Sequence, residues 1–149
     1  LRPHLPPQVT YVPADLVPWS PETLVCDLNQ AQFPKGPYDA VALLEVLEFL
    51  HDPQAVLEGC RSLAPNLVLS YRLHQGEKLK ERRRQGWFND LDEGALRHLL
   101  DITGWRVDLF VPESSAKTWL FLAKADMSKQ PKTDSALPRS DKRSRKTKA

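Results

Sequence analysis

The stretch YDAVALLEVLEFLHDP, residues 38–53, contains a continuous apolar run followed by the start of a helix. The run at 37–44 is typical of a buried parallel strand that is covered on both faces of a sheet. Asp52 is expected to cap the next helix and Pro53 to occupy its first position, because a side-chain carboxylate and a fixed φ suit those places. Pro65 ends this helix. Its apolar face is predicted to contain Val56, Leu57, Cys60, Leu63 and Ala64.

Shorter apolar runs lie on either side of this unit. TYVPA (10–14) and ETLVCD (22–27) read as short buried strands, and NLVLSY (66–71) reads as another strand. Segment 78–86, KLKERRRQG, is charged and predicts a solvated helix or loop. One connection between strands differs from the usual helical crossover. The crossover LVPWSPET is too short and proline-rich for a helix, so Trp19 within it is expected to cover the sheet edge, or else to lie against a bound base.

The remaining elements complete an alternating pattern. Asp92 is expected to cap a helix that carries Leu96, Leu99, Leu100 and Ile102 and ends at Gly104. RVDLFV (106–111) and TWLFLAKA (118–125) are expected to form a closing antiparallel hairpin. Strands that alternate with helices predict an α/β domain with a mostly parallel, Rossmann-like sheet.

Three carboxylates directly follow predicted strands: Asp15, Asp27 and Glu45. Ligands of parallel sheets bind outside the carboxyl ends of the strands, so these side chains are expected to share one edge. A carboxylate in that place can accept a hydrogen bond from a ribose hydroxyl or an exocyclic amine. The alternative is that each is an ordinary turn residue satisfied by water or by a nearby backbone N–H.

The order of these motifs resembles that of the class I S-adenosylmethionine-dependent methyltransferases over roughly residues 5–125. YVPAD and LVCDLN are similar to the second and third strands of that family. VLEFLHDP is similar to the segment after its fourth strand, and GWFNDLDEGALRHLLDITGWRV to its closing helix and strand. The resemblance implies S-adenosyl-L-methionine as cofactor. It places Asp15 and Leu16 at the ribose, Asp27 and Leu28 at the adenine, and Glu45 along the same edge.

The resemblance does not include the first strand of that family or its glycine-rich loop. The six glycines, 36, 59, 76, 86, 94 and 104, form no GxG, although glycine is what lets backbone approach a ligand closely. The chain is therefore expected to be an N-terminally truncated methyltransferase domain that is poorly stable and inactive alone. The resemblance places the second and third strands on one side of the missing strand and the fourth, fifth, seventh and sixth, in that order, on the other. Since the missing strand would lie beside DAVALL, we expect either a strand-wide gap or an improvised pairing there.

The resemblance also implies how the methyl group would be transferred. The sulfonium methyl is electrophilic, so the protein mainly aligns it with a nucleophile. Candidates on the acceptor side are Glu48, Tyr71 and His74. His51 could accept a proton from the nucleophile or simply orient the turn at Asp52. The residues do not identify the methyl acceptor.

The net charge of +2 conceals an uneven distribution. Residues 126–149 contain eight basic and three acidic residues, a net charge of +5, whereas residues 1–125 have a net charge of −3. This tail has no aromatic residue and is expected to be disordered, which leaves residues 1–125 as the domain. Two other functions stay open: a non-catalytic methyltransferase-like interaction module, or nucleic-acid binding through the basic tail and segment 78–87.

Cysteine usage and hydropathy limit the compartment. Cys26 and Cys60 form no CxxC pair and are expected to be small buried hydrophobes. No His/Cys cluster has metal-ligand spacing, so we predict no metal site. The apolar runs are shorter than the about 20 residues that a membrane helix needs, and a cytoplasmic protein is expected.

Overall fold

The computed structural model describes residues 2–112 and 118–129, which form two sheets. A small parallel sheet consists of Ala14–Asp15 (β1) and Leu24–Val25 (β2). A four-stranded sheet has the order β3-β4-β6-β5 and consists of Ala40–Leu44 (β3), Asn66–Arg72 (β4), Trp105–Pro112 (β5) and Thr118–Ala125 (β6). Only β3 and β4 pair in parallel in the larger sheet. The sheet is therefore mixed, and the prediction of a mostly parallel sheet was wrong, whereas the antiparallel C-terminal hairpin is confirmed.

Three α-helices connect or flank these strands: Pro53–Leu63 (α1), Leu79–Arg84 (α2) and Glu93–Ile102 (α3). Short 3-10 helices occupy Arg2–His4, Leu28–Gln30 and Leu47–Phe49. The predicted caps are confirmed, because Asp52 accepts the Ala55 N–H at 2.9 Å and Asp92 accepts the Ala95 N–H at 2.8 Å. None of the described helices is long and apolar enough to cross a membrane.

The core lies on one face of the four-stranded sheet. Leu57 from α1 and Leu100 from α3 are fully buried with Leu69 and Phe121 of the sheet. The indole Nε1 of Trp105 donates to the Leu57 carbonyl at 3.0 Å, which connects the first residue of β5 to α1. Buried apolar side chains of this kind contribute most of the free energy of folding.

The opposite face of this sheet is covered by no element among the described residues. Along β3, Leu43 is buried whereas Leu44 is 40% exposed, and Leu109 and Leu120 are exposed on the same side as Leu44. The prediction that strand 37–44 is covered on both faces was therefore wrong. The strand is an edge strand that pairs only with β4 in the described part of the chain.

The N-terminal segment is much less packed than the sequence suggested. Strands β1 and β2 have two residues each and are exposed, so the prediction of two buried strands at 10–14 and 22–27 was wrong. No residue from 2 to 42 is buried. The reason is that β1 pairs only with β2, and no described strand bridges this pair to β3. Of the two alternatives expected beside β3, an improvised pairing is not seen among the described residues, and the predicted strand order within each half is confirmed.

Two smaller predictions in this region also differ from the structure. Trp19 is 77% exposed, so its indole does not cover the sheet edge. Cys60 is buried as expected, and burial raises the pKa of its thiol to about 12. Cys26 is only half-buried, because β2 has no covering layer.

Candidate functional site

The carboxyl ends of β1 and β2, and those of β3 and β4, are joined by side chains into one continuous edge. The Cys26 N–H donates to the Asp15 carbonyl at 2.9 Å. Asn29 accepts the His51 N–H at 2.8 Å and donates its amide to the Phe49 carbonyl at 3.3 Å. We call this edge the carboxyl rim; it consists of residues 15–16, 26–30, 45–51 and 72–74.

Asp15 and Leu16 follow β1 at one end of the rim. One Asp15 carboxylate oxygen accepts the Val17 N–H at 3.0 Å, which is an Asx turn. The other oxygen bonds to none of the described residues. Leu16 is exposed. A turn that fixes the carboxylate while leaving one oxygen available fits the recognition of a ribose hydroxyl.

Asp27 uses both carboxylate oxygens locally. One accepts the Asn29 N–H at 3.0 Å, as the cap of a 3-10 helix, and the other accepts the Gln30 amide at 2.8 Å. The Leu28 N–H heads that helix and has no acceptor within the described residues, while its side chain packs against the core. The Asp27 carboxylate is therefore satisfied within the turn, and the Leu28 N–H is the polar group of this turn that stays available to a ligand.

Glu45 ends β3 in a strained conformation. Its φ is 54°, a region that non-glycine residues rarely adopt, and such strain is concentrated at functional sites. The Glu45 N–H donates to Ser70 Oγ at 2.9 Å, and its carboxylate accepts Thr118 Oγ1 at 3.3 Å. These bonds hold an exposed carboxylate at the centre of the rim.

Glu48 and Tyr71 are buried beneath the rim and do not face an acceptor. Glu48 accepts the Arg72 N–H at 2.7 Å through one oxygen, and the other oxygen is buried with no partner within the described residues. Burial raises the pKa of Glu48, against the opposing effect of the Arg72 N–H, and it raises that of Tyr71 to about 12. Both groups act as supports for the rim.

Arg82 organises the loop that follows β4, and sequence reasoning missed its role. Its buried guanidinium pairs with Glu77 and Asp90, each at 2.8 Å, and it lies 4.8 Å from the centre of the Trp87 ring. The predicted solvated helix or loop at 78–86 is a short helix whose residues are exposed except for Arg82. Its polar partners lie in the loops before and after α2, so the charge pattern of the segment does not reveal the burial of Arg82.

Asn89 is a half-buried link between the same loop and the turn after β3, and sequence reasoning missed it. Its amide donates to the carbonyls of Leu47 at 2.6 Å and Leu50 at 3.2 Å. Its side-chain oxygen accepts the Tyr71 hydroxyl at 2.5 Å. Asn89 therefore fastens segment 85–91 onto the turn that follows β3.

An aromatic cluster lies on the outer side of this link. The rings of His51 and Phe88 make an edge-to-face contact with centroids 4.3 Å apart at 85°. Phe49 is 43% exposed and Phe88 is 55% exposed. We call Phe49, His51 and Phe88 the aromatic patch. His74 is the last residue of the carboxyl rim. Its ring nitrogen Nε2 lies 3.0 Å from the Glu77 carbonyl oxygen.

A cavity lies under the crossover between β1 and β2. Its volume is about 360 Å³, and its lining includes Arg2, Tyr11, Trp19 and Glu22. Of the predicted cofactor residues only Asp15 borders it. The rim rather than this cavity contains the other candidates. Among the described residues, no group of His, Cys, Asp and Glu is arranged to hold a metal ion.

Comparison with known proteins identifies the fold. No protein-family model matches the sequence, and no curated protein matches it. Solved structures do match: magnesium protoporphyrin IX methyltransferase (ChlM) from Synechocystis PCC 6803 with bound SAH has a TM-score of 0.53 and 22% identity. The fold is that of the class I S-adenosylmethionine-dependent methyltransferases.

Two further structures give the same result. The putative methyltransferase complexed with the Haloferax volcanii Trm112 activator has a TM-score of 0.58 at 14% identity. The O-methyltransferase NcsB1, in complex with S-adenosylmethionine and 2-hydroxy-5-methyl naphthoic acid, has a TM-score of 0.55 at 16% identity. The match to ChlM covers 69% of this chain and 50% of the solved chain. The match to the Haloferax volcanii protein covers 70% and 61%, and the match to NcsB1 covers 70% and 33%. This chain therefore spans between a third and about three fifths of the length of these proteins.

Proposed function

We propose that this chain takes part in S-adenosylmethionine-dependent methyl transfer, with the cofactor on the carboxyl rim. The observation that carries the proposal is Asp15, whose carboxylate is fixed by a turn at the end of β1 and keeps one oxygen free of protein partners. The fold supports it, since matching structures contain SAH or S-adenosylmethionine.

The residues of the rim have separate roles in this proposal. Asp15 and Leu16 hold the ribose, and the Leu28 backbone with Asp27 holds the adenine. Glu45 lies where the methionine part of the cofactor passes towards the acceptor. The bound cofactor supplies an electrophilic methyl group. His51 accepts the proton released by an oxygen or nitrogen nucleophile, because its exposed ring lies at the acceptor end of the rim.

The missing part of the site is a glycine-rich turn. None of the six glycines forms a GxG, so the close backbone approach to the methionine moiety has to come from a segment outside these 149 residues. In our proposal that segment also pairs with the free edge of β3. The isolated chain is then expected to bind the cofactor poorly.

Calorimetry with S-adenosylmethionine tests this proposal. The 149-residue chain is compared with an engineered longer chain in which a strand bearing a GxGxG loop is added before Leu1, and with that longer chain after its loop glycines are changed to alanine. We expect tight binding only with the intact glycine loop. Micromolar binding by the isolated chain would contradict the need for the loop, and no binding by the longer chain would contradict the proposed cofactor.

A non-catalytic interaction module is the second candidate. The observation that favours it is the uncovered apolar face of the four-stranded sheet, with a groove of about 340 Å³ beside Leu109 and Leu122. Exposed apolar surface of this kind commonly marks a contact with other protein surface. Absence of cofactor binding in the longer chain, together with a stable complex through this face, would favour the module over the enzyme.

A further inference from the structure

We propose that the cavity under the crossover between β1 and β2 binds a guanidinium group, such as that of an arginine side chain. Its volume of about 360 Å³ lies within the range of about 300–1,000 Å³ that is usual for small-ligand pockets. Tyr11, Trp19 and Glu22 border it. None of these three residues has a role in the proposed methyl transfer, so the inference goes beyond that function.

Arg2 shows which chemical group this cavity accepts. Its guanidinium lies 5.8 Å from the centre of the Tyr11 ring and donates to the Glu22 carboxylate at 2.6 Å. A ring face attracts a cation through its quadrupole, and a carboxylate accepts the N–H groups of a guanidinium in a charge-assisted hydrogen bond. Arg2 therefore occupies, within the chain, a place that suits the arginine of a ligand.

A ligand can displace Arg2 from this place. The side chains of Arg2 and Glu22 are 57% and 62% exposed, and exposed ion pairs contribute little because water and salt screen both charges. Trp19 borders the same cavity with a side chain that is 77% exposed, and tryptophan is the aromatic residue that attracts cations most strongly. A ligand therefore gains from Trp19 a contact that no interaction among the described residues gives to Arg2.

The loop that carries Trp19 and Glu22 is held by its own hydrogen bonds. The Trp19 N–H donates to the Val17 carbonyl at 2.9 Å. The Ser20 N–H donates to Thr23 Oγ1 at 3.1 Å, and the Thr23 N–H donates to the Ser20 carbonyl at 3.0 Å. Because these bonds shape the loop before a ligand arrives, less ordering entropy is lost on binding.

The charges around the cavity favour a cation over an anion. Asp15 also borders it and keeps one carboxylate oxygen free of partners within the described residues. Once a ligand displaces Arg2, the cavity presents the two carboxylates of Asp15 and Glu22. The net charge of −3 on residues 1–125 adds an attraction for cations at longer range.

Titration of the 149-residue chain with N-acetyl-arginine amide, followed by NMR, tests the inference. Trp19→Ala and Glu22→Gln are each expected to weaken binding by about 2- to 5-fold, the range for one exposed cation–π contact or ion pair. Arg2→Gln should tighten binding by about 2- to 5-fold, because it removes the internal competitor. N-acetyl-citrulline amide, which has the shape of the arginine compound without its charge, should bind more weakly. All three side chains are exposed, so these variants should keep the fold.

The matched controls are Phe88→Ala and Glu81→Gln, which change an exposed aromatic residue and an exposed carboxylate outside the cavity. Both should leave the affinity unchanged. Unchanged or weaker binding in Arg2→Gln would overturn the inference, since Arg2 would then be no competitor or would itself hold the ligand. Unchanged affinity in both Trp19→Ala and Glu22→Gln, equal losses in the controls, or equal binding of the citrulline compound would overturn it too. The test uses no cofactor and leaves Asp15 unchanged, so its result is independent of the proposed function.

Discussion

The two-stranded β1–β2 unit and the four-stranded sheet differ in how much apolar surface they bury. No residue from 2 to 42 is buried, whereas β4 alone contributes Leu67, Leu69 and Tyr71 to the core. Both units are parts of one methyltransferase-like fold, and the carboxyl ends of their parallel strands meet at the carboxyl rim. Local strand signals therefore suffice to pair β1 with β2, but a two-stranded unit without a packed face is only marginally stable by itself.

This difference divides the proposed site. Asp15 and Asp27, the proposed cofactor contacts, lie in the unit without a core, whereas His51, the proposed base, lies on the well-packed unit. Asn29 links the two units through Phe49 and His51. Changes in the packed unit should alter stability, and changes in the smaller unit should alter binding.

The largest expected difference between the units is in how much the free energy of unfolding falls when a tryptophan is removed. Trp105→Ala deletes a buried indole that bonds the Leu57 carbonyl, and should lower the free energy of unfolding by about 3–5 kcal/mol. Trp19→Ala removes an exposed indole of the smaller unit and should change it by less than about 0.5 kcal/mol. Urea unfolding measures both. A similar cost for the two variants would contradict the division into a packed and an unpacked unit.

Within the packed unit, a similar contrast separates two adjacent arginines of α2. Arg82→Met leaves Glu77 without its buried partner and should cost about 3 kcal/mol, because breaking a buried pair leaves a charge uncompensated. Arg83→Met removes a guanidinium on the exposed side and should cost at most about 1 kcal/mol. Thermal unfolding of the two variants distinguishes them. Equal and small costs would show that Arg82 is not the organising group of this loop.

Local signals were enough to predict several elements of the packed unit. Asp52 with Pro53, and Asp92, mark helix starts because a cap depends on a few adjacent residues. Strand 118–125 was predicted with its observed bounds, since its alternation of buried and exposed positions is local. The strand order followed from the family resemblance rather than from any single strand.

What the sequence did not reveal depends on how loops bring polar groups together in space. Arg82 is buried because Glu77, Asp90 and the carbonyls of Arg72 and Asn89 converge on it. In the sequence, Phe88 and Asn89 belong to the segment that precedes α3. The Asn89 amide nevertheless bonds the carbonyls of Leu47 and Leu50, which are 42 and 39 positions earlier in the chain. The exposure of β1 and β2 was missed for the opposite reason, since apolar strand residues predict burial without showing what covers them.

In the smaller unit the expected effect is on the cofactor. Asp15→Ala in the longer, loop-bearing chain should weaken S-adenosylmethionine binding by about 1.5–3 kcal/mol, the contribution of a hydrogen bond to a charged group. Asp27→Ala should weaken it less, because the Leu28 backbone shares the contact with the base. Calorimetry measures both, and an unchanged affinity in Asp15→Ala would exclude Asp15 from the ribose contact. Neither variant should lower the melting temperature appreciably, since both side chains are outside the core.

Acid should weaken the packed unit through Glu77. Burial alone would raise its pKa, but the Gln75 N–H and the Arg82 guanidinium outweigh that effect and lower the pKa to about 2. A lowered pKa contributes stability above the ordinary value of 4.5, and this contribution is lost as the pH falls towards 2. Glu77→Gln should remove about 1 kcal/mol of this acid dependence, a figure reduced for partial exposure. Glu22→Gln, which affects an exposed pair in the smaller unit, should leave the dependence unchanged in acid titrations of stability.

The smallest effect is expected at the C-terminal end of the packed unit. Residues 126–129 continue past β6, where the Asp126 N–H bonds the Gly104 carbonyl at 2.8 Å and Lys129 pairs with Asp101. Residues 130–149 lie outside the described part, and their composition offers almost no apolar side chains to bury. Deleting 130–149 should leave the melting temperature unchanged. Deleting 127–149 also removes the Lys129–Asp101 pair, but exposed pairs contribute only about 0–1 kcal/mol, so its effect should also be slight. A drop of several degrees in the shorter deletion would mean that the basic tail packs on the domain, because loss of the ion pair is confined to the longer one.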